Sequence, residues 1–103
     1  MDTGAIVERL EVEWGTNGFF DGVRNGDYDV VRGQAVLATL RAISIGDEDT
    51  VPKRLLSLLW YLPSFLSWQT ERIVEKGGDR AAYERFVTEV FNTLEEVLGV
   101  PQG

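Results

Sequence analysis

Residues 79–101, DRAAYERFVTEVFNTLEEVLGVP, decide the fold class. Tyr83, Phe86, Val87, Val90, Phe91, Leu94, Val97 and Leu98 recur at the three-and-four spacing that places apolar side chains on one face of an α-helix. Asp79 supplies a carboxylate oxygen for the free N–H groups of the first turn. Gly99-Val100-Pro101 supplies the stop: a glycine for the left-handed cap, an apolar residue to fold back, then a proline. The spacing predicts that Phe86, Val90, Phe91 and Leu94 are core.

The segment immediately before carries the second strong signal. Leu55, Leu56, Leu58, Leu59, Trp60 and Leu62 are apolar almost all round, which places such a helix in the centre of a core or beneath a partner. Asp49 or Thr50 is the expected cap, with Pro52 in the first turn, where a missing N–H costs nothing. Pro63 removes a backbone donor and clashes with the preceding turn, so a kink or break is expected near Leu62. Helix resumes through Phe65, Leu66, Trp68 and Ile73 and stops at Gly77-Gly78.

Upstream, Asp2 or Thr3 caps a first helix whose apolar positions are Ile6, Val7, Leu10 and Trp14, ended by Gly15. Phe19 to Arg24 makes a short helix that tucks two rings under its neighbours and ends at Asn25-Gly26. Asp27 is the expected cap of a longer helix with Val30, Val31, Leu37, Leu40 and Ile43 apolar, closed by Ile45-Gly46. Asp47-Glu48-Asp49-Thr50 is an acidic connector. No stretch alternates as a strand does. The expected architecture is all-α: one domain over residues 1–103, a compact bundle of four main helices, one kinked or broken at Pro63, plus a short helix near 19–24.

Composition narrows the function classes. There is no cysteine and no histidine, so thiol chemistry, disulfides, zinc fingers and imidazole catalysis are out. No basic segment leads into an apolar run at the start, and the longest apolar stretch falls far short of the roughly 20 residues that cross a bilayer. A cytoplasmic protein is the expectation. Net charge is −7, with ten acids against four arginines in residues 1–51 and seven acids against six bases in the rest. Such a surface repels nucleic acid and anionic lipid and attracts basic partners. Eight of the ten basic residues are arginine, a hint of a GC-rich or salt-adapted source.

Catalytic and metal motifs fail on inspection. In the run Asp21–Asp29, Asp21, Asn25 and Gly26 match positions 1, 5 and 6 of a calcium loop. Val23 has no side-chain oxygen for position 3, however, and Arg32 sits where the bidentate glutamate belongs. Glu71 and Glu75, one turn apart near Trp68, are the one carboxylate pair beside aromatic surface, and each has other partners at hand. No serine lies in Gly-x-Ser-x-Gly, and no glycine-rich loop leads into a phosphate-binding lysine. No enzyme activity, cofactor or metal is expected.

Trp60, Tyr61, Phe65 and Trp68 remain. Such large rings are first of all what a small bundle needs to fill its core. The cluster spans more than one helical face, however, so part of it is expected at the surface, where large rings anchor partners. In size, charge and helical character the chain is similar to bacterial immunity proteins that neutralise a toxin and to phage-encoded inhibitors that mask a basic surface. That similarity is carried by no motif and assigns no residue. It implies a protein-binding module with a basic partner. From the charge distribution and the aromatic cluster, the acids expected to steer that partner are Glu8 and Glu11, on one side of the first helix, with Asp47, Glu48 and Asp49, and the rings expected to hold it are Trp60 and Trp68. Two alternatives stand beside it. One is a subunit that self-associates, as a homodimer, through the Trp60–Trp68 face. The other is a small-molecule binder with a pocket at the Pro63 kink.

Overall fold

The computed structural model describes residues 3–44 and 50–101. Seven helical segments and no strand occur among them: α1 (Thr3–Trp14), α2 (Phe19–Arg24), α3 (Val30–Arg41), α4 (Lys53–Leu59), α5 (Leu62–Trp68), α6 (Thr70–Glu75) and α7 (Arg80–Leu98). The all-α bundle expected from the sequence is what forms. α4, α5 and α6 together are the main helix expected to break, the third of the four, and α2 is the short one. α7 packs against α3, α5 and α6, while α1 packs against α2, α3 and α4. No helix among the described residues is long and apolar enough to cross a membrane.

The described residues span 43 × 33 × 19 Å. A helix with its side chains is about 10–12 Å across, so the short dimension holds two layers. Between them lies one core, from Ile6 and Leu10 of α1 through Phe19, Phe20, Leu37, Leu40, Leu59, Phe65 and Leu66 to Tyr83, Phe86 and Val90 of α7. Edge-to-face rings run through it, Phe19 lying 5.4 Å from Phe86 and Tyr28 lying 5.2 Å from Tyr83 between centroids. The two buried polar side chains among the described residues, Thr39 and Thr93, donate to the carbonyls of Ala35 and Glu89 one turn back. The buried Tyr83 hydroxyl donates to the Leu66 carbonyl at 2.7 Å and so ties α7 to α5.

Turn chemistry follows the glycines. At the end of α2 the Gly26 N–H donates to the Val23 carbonyl and the Asp27 N–H to the Gly22 carbonyl, with Gly26 at φ +88°. These are the paired bonds of a Schellman stop. They also correct the expected cap of α3. Asp27 is held in the stop of α2, and Asp29 caps α3 instead, its carboxylate accepting from the Arg32 N–H at 3.1 Å. Gly77 and Gly78 repeat the pattern after α6, and Asp79 caps α7 as expected.

Several other expectations need correcting. Phe91 is not core: it is 49% exposed, beside Phe86 at 1%. Tyr83, Phe86, Val90 and Leu94 form the buried row of α7, whereas Val87, Phe91 and Leu98 form the adjacent row, which a two-layer molecule does not fully cover. Val31 on α3 is 80% exposed for the same reason, lying off the row of Gly33, Val36, Leu37 and Leu40, and Val30 in the first turn is exposed as well. α4 follows Pro52, which offers no side-chain cap, and Thr50 is not its cap. A second break at Gln69 separates α5 from α6. The Asp47-Glu48-Asp49 connector and the Ile45-Gly46 stop lie outside the described residues.

Candidate functional site

Pro63 builds the site. It stands in the first turn of α5, where it brings no N–H to the turn before it, so α4 ends at Leu59 and Trp60-Tyr61 form the corner. The buried stripe runs through the corner without interruption: Leu55, Leu58, Leu59, Leu62, Phe65 and Leu66 are all core. The out-of-phase positions face outward. The helix that is apolar all round in sequence is thus a half-covered helix, with Leu56 and Trp60 exposed on its uncovered side.

Trp60 is 65% and Trp68 66% exposed. Half-buried Tyr61 stands between them, 5.5 Å from the Trp60 ring and 5.7 Å from the Trp68 ring, the latter edge-on. Tyr61 in turn packs on Phe65 and Trp14. The Trp14 indole N–H donates to the Leu58 carbonyl at 3.2 Å, fixing α1 to the end of α4. The outer rings therefore stand on an anchored base. Their exposure is built into the packing.

On the other side of Trp60 a groove of about 290 Å³ opens between the corner and the end of α7. Leu59, Trp60 and Pro63 form one wall, and Phe91, Leu94 and Leu98 the other. Val100 and Pro101 close one end, and Glu95 is the one charged residue of the lining. Trp60 thus belongs both to the ring row and to the groove. A second cleft, of about 280 Å³, lies between α1 and α3. At that cleft the Arg32 guanidinium already bonds the Glu13 carboxylate at 2.9 Å and the Asn17 carbonyl at 3.2 Å, so its charge is largely satisfied from within.

No family model, curated protein or solved structure matches the chain.

The structure places the residues singled out from sequence in different settings. Trp60 and Trp68 are brought together through Tyr61. Glu11 is engaged with the Arg54 guanidinium at 3.2 Å, which joins α1 to α4. Glu8 is exposed and makes no ion pair among the described residues, and no hydrogen bond or ion pair links Glu8 or Glu11 to the rings. Glu71 pairs with Arg80 at 2.8 Å, an exposed contact between α6 and α7. No group of three or more acids that could hold a metal ion occurs among the described residues. Two members of the site escaped sequence reasoning. Phe91 was hidden by an apolar stripe broader than one buried row. Glu95 was hidden among the ordinary polar positions of α7.

Proposed function

We propose that this chain is a protein-binding module that docks through the Trp60–Tyr61–Trp68 row and the adjoining groove, and that its partner presents a basic surface. The observation that carries the proposal is the exposure of three large rings, Trp60, Trp68 and Phe91, on a continuous surface. Isolated exposed apolar residues are ordinary, but contiguous aromatic surface marks an interaction site, and tryptophan leads the residues that dominate binding energy. A net charge of −7 favours a basic partner and speeds its encounter. An inhibitor that masks a basic surface is the form of binding module that combines both features.

A second reading draws on the position of Pro63 in the groove wall, where a small apolar ligand would sit. The groove volume sits at the lower end of the range of about 300–1,000 Å³ usual for small-molecule pockets, and its rim is made of exposed residues. A side chain from a partner suits it better than a ligand to be enclosed.

The test is retention of proteins from the source cell by the immobilised chain and by Trp60→Ala/Trp68→Ala, both checked for unchanged helicity. A basic protein retained by the first and lost by the second, with association slowed by salt, supports the proposal. Identical retention by the two sinks it.

A further inference from the structure

The groove ends at the C-terminus of the longest helix, an end that no basic side chain among the described residues is paired with. An α-helix carries about half a negative charge at its C-terminus, normally offset by lysine or arginine in the last turn. α7 runs 19 residues and has no basic residue in its last turn. Glu95 and Glu96 stand there instead, both exposed and neither in an ion pair among the described residues. The Gly99 N–H returns to the Glu95 carbonyl, and among the described residues no other backbone N–H caps the last carbonyls. Glu95 in the lining, its neighbour Glu96 outside it and the helix terminus thus bring negative charge to one end of the apolar trough.

We propose that the groove binds a short amphipathic segment of a partner protein, with an apolar side chain seated between Trp60 and Phe91 and a lysine or arginine set against Glu95 and the end of α7. The proposal rests on the reading of the chain as a protein-binding module and specifies what that module recognises. Apolar lining selects the apolar anchor, and the uncompensated negative end selects the cation and the direction in which the segment lies. A Trp60 ring at the rim also offers its face to a cation. A second copy of this chain fits poorly, because a two-fold contact through the groove brings a second Glu95 and Glu96 to the same interface.

The probe is a synthetic helical peptide of about 14 residues, long enough to show helix in a bound state, with leucine along one face and lysine on the other. Its counterpart carries glutamate in place of lysine. Each is titrated into the full chain while the backbone and indole N–H resonances are followed by NMR. The lysine peptide is expected to shift the Trp60 indole and the amides of residues 91–101, and to bind at least about tenfold more tightly than the glutamate peptide. Reversal of both charges, Glu95→Lys/Glu96→Lys, should weaken it by about tenfold, as expected for two exposed charge interactions. Glu75→Lys, at the exposed end of α6 and outside the groove lining, should leave its affinity unchanged. Shifts mapping to the more acidic first half of the chain, equal binding of the two peptides, or no effect of the Glu95/Glu96 reversal would each overturn the proposal. If any of these occurs while partner retention still requires Trp60 and Trp68, the binding module stands and only the assignment of the groove fails. If the chain sediments as a dimer that Trp60→Ala dissociates, a second copy occupies the groove and the proposal is overturned.

Discussion

Phe86 and Phe91 both belong to the apolar stripe of α7 but lie in adjacent rows, one buried and one half-exposed, and truncating each to alanine separates the core of this molecule from its surface. Phe86 is 1% exposed and packs among Phe19, Tyr28 and Tyr83. Removing that ring leaves a cavity walled by other rings, and such truncations cost about 3–5 kcal/mol. Phe91 already keeps about half its surface in water. Full burial of such a side chain is worth about 1.5–3 kcal/mol, so the half that is covered is worth about 1 kcal/mol. Alanine's higher helix propensity returns a few tenths of a kcal/mol. Urea unfolding followed by circular dichroism at 222 nm measures both. With a slope near 1.5 kcal/mol per molar, as suits a domain of this size, Phe86→Ala should lower the midpoint by about 2–3 M and Phe91→Ala by less than about 1 M. Slopes must match those of the unaltered chain for the comparison to hold. Equal shifts for the two variants would show that Phe91 is core and would remove one wall of the proposed groove.

Other consequences of the packing are as direct. A methyl group added at Gly33 of α3 would lie 3.1 Å from Tyr28 and 3.3 Å from both Phe19 and Phe86, so Gly33→Ala should destabilise by about 1–3 kcal/mol despite its better helix propensity, and a rise in melting temperature would contradict this ring packing. Burial, and after it the neighbouring Tyr28, pushes the Tyr83 phenol above its ordinary value. A group whose pKa is raised by folding contributes its stability below the unfolded pKa and loses it as pH rises. Stability should therefore fall as pH climbs beyond about 10, and Tyr83→Phe, though less stable at neutral pH for want of the bond to Leu66, should show a weaker alkaline loss in melting scans. Arg54→Ala should change stability by no more than about 1 kcal/mol in the same urea assay, because its pair with Glu11 is exposed on both sides. Helicity should be unchanged by a chelator, and its loss would reveal a structural metal ion.

The parts of the fold legible in sequence are those set by local rules. Asp79 and Gly99 bracket α7 because a side-chain acceptor and a left-handed glycine act on their own helix, whatever packs outside it. Asp27 misled because two local rules competed for one residue: the stop of α2 needs the residue after Gly26, and the start of α3 could use the same carboxylate. The stop won and the cap moved to Asp29. Periodicity marks which residues can be buried but not how wide a face the molecule will cover. That width depends on the number of layers, which no single helix carries, and so Phe91, expected in the core, and Val31, an apolar position of α3, both stay exposed. Trp60 and Trp68 were legible as a pair worth attention, but their side of the surface was settled by the phase of the Leu55–Leu66 stripe. Glu95 gains its meaning from tertiary structure alone, which brings the end of α7 beside the corner at Trp60.

The break at Pro63 links these observations. In an unbroken helix the side chains at 56 and 60 would lie along a straight outer face of the bundle. The corner instead sets Trp60 against the last turns of α7, across the groove lined by Phe91, Leu94 and Leu98. The same corner costs little stability, because the buried row from Leu55 to Leu66 keeps its phase through it and Trp14 holds the Leu58 carbonyl. Core and candidate site therefore share Leu59 and Leu94 at the groove floor but otherwise draw on different faces of the same helices. Substitutions at Trp60, Trp68, Phe91 and Glu95 can remove the binding surface while leaving the core intact. Those at Leu59, Phe65 or Phe86 cannot, and a loss of binding in the latter group would say nothing about the interface.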